Sequence, residues 1–158
     1  RDLRMSRGLG DVYKRQANDL GSSIMLPVDF MAGDSFSAEA KTKVLSAEEF
    51  SSPWMALDIG PKTIDLYVET LQKMKTVVWN GPMGVFEMEP FSKGTYAIAK
   101  AMASLNATTV IGGGESASVV DLLGIGDKFS HVSTGGGASL EMLEGMILPG
   151  VAILADKE

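Results

Sequence analysis

TTVIGGG at residues 108–114 places a short β-branched and apolar run directly before three glycines. The same order recurs in FSHVSTGGG at residues 129–137. Short runs of this kind predict buried strands, and a glycine cluster predicts the turn that ends each strand. The residues that follow, from Glu115 and from Ala138, predict helices. Both glycine clusters are therefore expected at strand-to-helix junctions.

The flanking sequence continues this alternation of strands and helices. An α/β fold follows from it, with a Rossmann-like parallel sheet and helices on both faces. In such sheets ligands bind at the carboxyl ends of the strands, where the glycine clusters lie. The predicted helices cover residues 61–74, 90–105, 115–123 and 138–144. The predicted strands cover residues 24–30, 40–47, 55–59, 76–79, 108–111, 129–134 and 151–154.

The two glycine clusters suit a phosphate group. The N-terminus of a helix leaves backbone N–H groups without intrahelical partners and carries partial positive charge. Glycine has no Cβ, so a phosphate can approach these N–H groups closely. The alternative is that the glycines only form tight turns. Because two clusters occur at equivalent junctions, phosphate binding is favoured.

Two known phosphate motifs fit this sequence less well. A P-loop continues with Lys and then Ser or Thr after its last glycine, whereas Glu115-Ser116 and Ala138-Ser139 stand there. Residues 112–117 match the dinucleotide fingerprint formally, but that motif expects an acidic residue at the end of the next strand to bind a ribose. Residues 133–135, Ser-Thr-Gly, contain none. An NAD-binding domain is therefore a disfavoured alternative.

Three polar residues near these turns have both structural and functional interpretations. Glu115 and Ser116 begin a predicted helix, where they either stabilise the helix start or contact Mg²⁺ and a phosphate oxygen. Residues 78–87 predict a loop whose apolar side chains could form an adenine slot, with Glu87 accepting from a ribose hydroxyl. The alternative is a loop packed on the core with Glu87 in solvent. His131 is the only histidine, which excludes a multi-histidine metal site and favours a structural role.

Composition excludes several classes of function. The formal net charge of −6 argues against a nucleic-acid-binding protein. The absence of cysteine excludes disulfides and thiolate metal sites and fits a reducing compartment such as the cytoplasm. No apolar run approaches the roughly 18 residues of a membrane span. Residues 1–16 are basic and aperiodic, which predicts a disordered or artefactual extension, with a short amphipathic arm as the alternative. Residues 17–158 then form one partial domain.

Several of these segments together resemble the phosphoglycerate kinases. Residues 58–63 (DIGPKT), 79–87 (WNGPMGVFE) and 110–116 (VIGGGES) are similar to three motifs of that family. Phe91, Gly94 and Thr95 continue the second motif. Residues 130–143 (SHVSTGGGASLEML) resemble the C-terminal end of the family, and residues 26–29 and 144–151 fit as well. The similarity extends over residues 17–155 in the family's order.

This resemblance implies a phosphotransferase with a carboxyl group as acceptor, which moves phosphate between 1,3-bisphosphoglycerate and ADP in glycolysis. It implies ATP or ADP as the nucleotide, Mg²⁺ as the metal ion, a cytoplasmic location and a monomeric full enzyme. By the same resemblance, the transferred phosphoryl group lies near Gly114, Gly135, Gly136 and Gly137. The nucleotide is expected to contact Leu57, Asn80, Pro82, Val85, Glu87, Gly112, Gly113, Gly114, Glu115 and Ser116, with Glu115 as the metal ligand.

The sequence also departs from the family pattern. Glu115 stands where the family usually has Asp, Met146 stands where Lys is common, and residues 1–16 match nothing in the family. The family's N-terminal domain, which binds 3-phosphoglycerate, and the first strands of the nucleotide domain have no counterpart in this sequence. We therefore expect the chain to be inactive as a kinase on its own. A nucleotide-binding module that stands alone is the alternative.

Overall fold

The computed structural model describes residues 12–154. Residues 12–19 are helical (α1), so part of the extension predicted for residues 1–16 has regular structure and the rest lies outside the described residues. After α1 the chain forms two three-stranded sheets. The antiparallel sheet has the order β2-β1-β3, from β1 (Asp29–Gly33), β2 (Thr42–Ser46) and β3 (Met55–Ile59). The parallel sheet has the order β4-β5-β6, from β4 (Thr76–Asn80), β5 (Thr108–Gly112) and β6 (His131–Ser133).

The antiparallel sheet was not predicted, and it accompanies the predicted parallel sheet. No helix separates β1, β2 and β3, and a parallel pair needs a crossover of about a dozen residues or more. Phe30 of β1 therefore pairs with Leu45 on one side and with Ile59 on the other. The first strand begins at Asp29 rather than at residue 24. Pro27 lacks the N–H group that a ladder needs, which is consistent with the later start.

The helices follow the predictions more closely. They are α2 (Pro61–Leu71), α3 (Lys93–Ala103), α4 (Gly114–Leu122), α5 (Gly136–Leu143) and α6 (Pro149–Ala152). Helix α3 starts later than predicted because a 3₁₀ turn, Glu89–Phe91, comes before it. The strand predicted for residues 151–154 was wrong. Pro149 suits the first position of a helix, and the chain forms α6 there.

One apolar cluster joins the parallel sheet to its helices. The α/β class is confirmed, with a parallel sheet that is flanked by helices. Ile59 of β3 belongs to the same cluster, so the antiparallel sheet packs on the same core. No helix within residues 12–154 is long and apolar enough to cross a membrane. The buried members of the cluster are Ile59, Trp79, Ile98, Ala99, Met102, Ile111, Val119, Val120 and Phe129.

Candidate functional site

The ends of the three parallel strands lie side by side. Asn80 is in register with Gly112, and Gly112 is in register with Ser133. Parallel pairing brings the three strand ends to one edge of the sheet, so the turns that follow β4, β5 and β6 meet there. This arrangement confirms that the two glycine clusters lie at strand-to-helix junctions, because α4 begins at Gly114 and α5 begins at Gly136.

Asn80, Gly113 and Gly136 pack against one another at this edge. A methyl group added at Gly113 or at Gly136 would lie 2.9 Å from Asn80 Oδ1. The methyl group added at Gly136 would also lie 2.9 Å from the Cα of Gly113. Side chains larger than hydrogen do not fit at either glycine without movement. The sequence-predicted residues of three separate turns are thus brought into direct contact.

Gly113 is also required by its backbone conformation. Its φ of 98° is strained for any residue with a Cβ. In this conformation its N–H group donates to Ser133 O at 2.9 Å, which ties the turn after β5 to β6. The neighbouring helix starts remain open, since a Cβ built at Gly114 or at Gly137 meets no atom within 4 Å. Gly136 N already donates to Thr134 O at 3.2 Å. The first N–H groups of a helix have no acceptor within the helix, and helix starts of this kind can donate to an anion.

Glu115 and Ser116 occupy different environments at the start of α4. Glu115 is exposed, and within residues 12–154 its carboxylate makes no hydrogen bond or ion pair. Ser116 is fully buried, and its Oγ accepts a hydrogen bond of 2.8 Å from the N–H of Gly81. Ser116 therefore fastens the loop that follows β4, whereas Glu115 is available to a ligand.

An apolar cavity of about 340 Å³ lies beside the loop between β4 and α3, residues 81–88. Three of the residues predicted to contact the nucleotide, Leu57, Pro82 and Val85, line this cavity. Glu87 does not line it and is exposed. Most residues of the cavity wall are apolar, as a flat ring system needs, and Asp58 is the one charged residue in the lining. The exposed Glu87 lies two residues beyond Val85.

The β4–α3 loop is held by hydrogen bonds that its N–H groups donate to three other elements. Besides the bond to Ser116, Val85 N donates to Leu57 O at 2.8 Å. Thr95 Oγ1 accepts from Met83 N at 3.0 Å and from Gly84 N at 3.2 Å. The loop thus has fixed partners on α4, β3 and α3.

Asp58 is a buried carboxylate between β3 and the start of α3. Its Oδ2 accepts from Gly94 N at 2.7 Å, and its Oδ1 accepts from Ile59 N at 2.8 Å. Burial raises the pKa of Asp58 to about 6, although both hydrogen bonds act in the opposite direction. A Cβ at Gly84 or at Gly94 would collide with this carboxylate. The β4–α3 loop and the start of α3 therefore both pack against Asp58.

Sequence reasoning missed Asp58 and Thr95 as residues that shape the site. A signal existed for Asp58, because an acid inside the short apolar run of β3 has to find hydrogen-bond donors once it is buried. Thr95 continues a motif that resembles the family, but its role gave no physical signal, since a threonine on a helix is common and its partners lie 11 and 12 residues away along the chain.

Comparison with known proteins gives one consistent result. The sequence model of the family described as phosphoglycerate kinase matches residues 10–146. The match therefore begins within residues 1–16, where no similarity was expected. The phosphoglycerate kinase of Clostridium tetani is 55% identical over 142 residues, which are 90% of this chain and 35% of that protein. That of Herpetosiphon aurantiacus is 52% identical over 142 residues, which are 90% of this chain and 36% of that protein.

The solved structures that resemble this chain are also phosphoglycerate kinases. The phosphoglycerate kinase of Coxiella burnetii superposes with a TM-score of 0.85 at 38% identity, over 96% of this chain and 39% of that one. The enzyme of Pyrococcus horikoshii superposes with a TM-score of 0.73 at 35% identity, over 94% of this chain and 37% of that one.

Fold and site together define an α/β protein with two glycine-rich turns at the carboxyl edge of its parallel sheet. Within that class, the chain belongs to the phosphoglycerate kinase family. It spans about 36% of the length of the curated relative from Herpetosiphon.

Proposed function

We propose that this chain is the nucleotide-binding part of a phosphoglycerate kinase and that it binds ADP or ATP. The observation that carries the proposal is the convergence of Asn80, Gly113 and Gly136 at one sheet edge, beside open helix starts. The phosphates would contact backbone N–H groups at the starts of α4 and α5. The adenine ring would occupy the apolar cavity beside the β4–α3 loop, and Glu87 would accept from a ribose hydroxyl.

The residues present fit a Mg²⁺ ion that enters with the nucleotide. No cluster of three or more histidine, aspartate or glutamate side chains suited to a metal occurs within residues 12–154. Mg²⁺ bound to nucleotides commonly takes one or two carboxylates and completes its shell with phosphate oxygens and water. Glu115 would supply that carboxylate. The ion, when bound, neutralises charge on the phosphates.

The complete family protein would transfer phosphate between 1,3-bisphosphoglycerate and ADP in the cytoplasm. We propose that this chain alone does not catalyse that transfer. Phosphoryl transfer depends on positioned positive charge around the transferred group. No lysine or arginine occurs in the three turn segments, residues 80–88, 112–120 and 133–140. A coupled assay that found appreciable turnover by the pure chain would contradict this part of the proposal.

Calorimetric titration of Mg-ADP into the folded chain tests nucleotide binding. We expect saturable binding that becomes at least about tenfold weaker in Glu87→Ala, because a hydrogen bond to a charged group contributes about 1.5–3 kcal/mol. Glu89→Ala is the matched control, since Glu89 is another exposed glutamate close in sequence that lies outside the cavity wall. It should bind like the unaltered chain.

Two outcomes would count against the proposal. A chain that is folded by circular dichroism but does not bind Mg-ADP lacks a working nucleotide site. A chain that binds NADH in preference to ADP would instead be a dinucleotide-binding domain. Equal weakening by Glu87→Ala and Glu89→Ala would remove the ribose role of Glu87 but not the nucleotide site.

A further inference from the structure

The β4–α3 loop is held by its backbone N–H groups rather than by its side chains. Four of these groups donate to partners outside the loop: those of Gly81, Met83, Gly84 and Val85. A loop with so many fixed N–H groups presents its apolar side chains in one arrangement. Because Pro82 and Val85 line the cavity, whatever fixes this backbone also shapes the cavity wall.

Thr95 supplies two of these four partners through a single atom. Its Oγ1 accepts from both Met83 N and Gly84 N, and the residue is fully buried. Water cannot replace a hydroxyl acceptor at such a position without entering the core. Removing the hydroxyl therefore leaves two N–H groups without their acceptor.

Asp58 holds the first turn of α3, in which Thr95 lies. Its carboxylate accepts from Gly94 N in the first turn of α3, directly before Thr95. Gly84 packs so closely on the same carboxylate that a Cβ there would collide with it. Asp58 is thus in contact with the loop on one side and with the helix that holds the loop on the other.

We propose that Asp58 and Thr95 are positioning residues for nucleotide binding, which fix the β4–α3 loop so that its cavity wall is preformed. Thr95 does not line the cavity, whereas Asp58 lines it and also supports the loop, so the Thr95 variants separate positioning of the loop from direct contact with the nucleotide. This inference rests on the proposed function for its effect on binding, but the order of the loop can be measured without a nucleotide.

The test compares four variants of the 158-residue chain. Thr95→Val removes the hydroxyl at nearly constant volume, and Thr95→Ser restores it. Asp58→Asn removes the charge at constant volume, and Asp65→Asn, on the exposed side of α2, is its matched control. Two quantities are measured: Mg-ADP affinity by calorimetry, and amide hydrogen exchange of Met83 and Gly84 by NMR, with Val120 in the core as the reference.

For Thr95→Val and Asp58→Asn we expect Mg-ADP affinity to fall about tenfold. Exchange at Met83 and Gly84 should rise about tenfold, which is the effect of losing one to two neutral hydrogen bonds. Exchange at Val120 should stay within about twofold, because local opening need not follow global unfolding. Thr95→Ser and Asp65→Asn should match the unaltered chain in both measurements.

Several results would overturn the inference. One is unchanged exchange at Met83 and Gly84 in Thr95→Val, and another is failure of Thr95→Ser to restore protection. A third is an equal rise at Val120, since that would show a purely structural role. If Asp58→Asn does not fold, the comparison of valine with serine at position 95 still decides. If the unaltered chain binds no Mg-ADP, the proposed function fails, and the exchange rates alone decide whether the loop is positioned as inferred.

Discussion

Two buried aspartates show how nearby hydrogen-bond donors determine whether the pKa of a buried carboxyl group is raised or lowered. Asp29 accepts from Lys62 N and Thr63 N and from the Thr63 hydroxyl at the start of α2. Burial acts to raise its pKa, but these bonds outweigh it and hold the pKa of Asp29 below its usual value. Asp58 has only two backbone donors, so burial dominates and raises its pKa to about 6. The two groups therefore respond to pH with opposite sign.

The raised pKa of Asp58 predicts a pH-dependent stability. The folded chain holds this proton more tightly than the unfolded chain, so the stabilisation is present below pH 3.8 and is lost as the pH rises through about 6. A shift of this size corresponds to about 3 kcal/mol. Relative to Asp58→Asn, the free energy of unfolding should therefore fall as the pH rises from 4 to 7. Urea unfolding followed by circular dichroism across that range measures the difference.

Asp65→Asn again serves as the control, because Asp65 is exposed. This variant shows what the loss of one negative charge from the surface does to the free energy of unfolding. Parallel curves for the unaltered chain and Asp58→Asn would show that Asp58 titrates alike in both states. Asp29 does not obscure the comparison, since its contribution is present above its usual pKa and is lost only as the pH falls below it.

Among the elements, the start of α4 requires glycine at position 113 for two reasons, its backbone conformation and its packing. Gly113→Ala introduces a Cβ at a φ of 98°, 2.9 Å from Asn80 Oδ1. We expect a loss of about 1–3 kcal/mol in the free energy of unfolding, from backbone strain together with the clash. Gly114→Ala is the matched control, since its Cβ meets open space at a helical position and should leave stability unchanged or slightly higher. Thermal unfolding measures both.

Mg-ADP affinity is a second measurement on the same two glycine variants. A Cβ at Gly114 would stand at the open helix start where a phosphate is proposed to bind. Gly114→Ala should therefore weaken binding while the fold is retained. If the two glycine variants unfold at the same temperature, the turn after β5 can move enough to accept a Cβ at position 113, and the contact with Asn80 does not restrict it.

Sequence patterns located the elements that carry a strong local signal. The strands β4 and β5 and the helices α2 and α4 were predicted within a few residues, because each combines an apolar period with glycine or proline at its ends. The antiparallel pairing of β1 with β2 and β3 was missed, since pairing partners are set by tertiary contacts that a local pattern does not encode. Helix α6 was missed because the four apolar residues 151–154, which overlap it, suit a strand and a helix equally well.

The candidate site was predictable in part for the same reason. The glycine turns have a local signature, and the resemblance to phosphoglycerate kinases supplied the loop residues. The convergence of Asn80, Gly113 and Gly136 agrees with that expectation, whereas the nucleotide contacts themselves stay predictions. Asp58 and Thr95 act through partners that are distant in sequence. Only the folded arrangement reveals those partners.

At the scale of the whole molecule, the parallel sheet has open edges. Within residues 12–154, β4 pairs with β5 only, and Val78 in β4 is 38% exposed. An unpaired strand edge is a template for association with another strand. We therefore expect the chain to self-associate at high concentration and Val78→Lys to raise its monomer fraction severalfold, because a charge in an edge strand opposes pairing. Sedimentation velocity over a concentration series measures this.

Leu122→Lys provides the matched control. Leu122 is 67% exposed at the end of α4, so the variant adds the same charge away from the strand edge. If both lysine variants raise the monomer fraction equally, net charge rather than the β4 edge controls association. If neither does, the edge is not a pairing surface.

The two tryptophans of this chain are placed in different halves of the fold. Trp54 precedes β3 and lies under the ammonium group of Lys43, 4.0 Å from the ring centroid, on the antiparallel side. Trp79 is buried in β4, one residue before Asn80, and its indole N–H has no hydrogen-bond partner within residues 12–154. Intrinsic fluorescence therefore carries two separable signals. In a Trp54→Phe background, the remaining emission would report on the strand end that leads into the candidate site, so ligand binding could be followed optically without any attached dye.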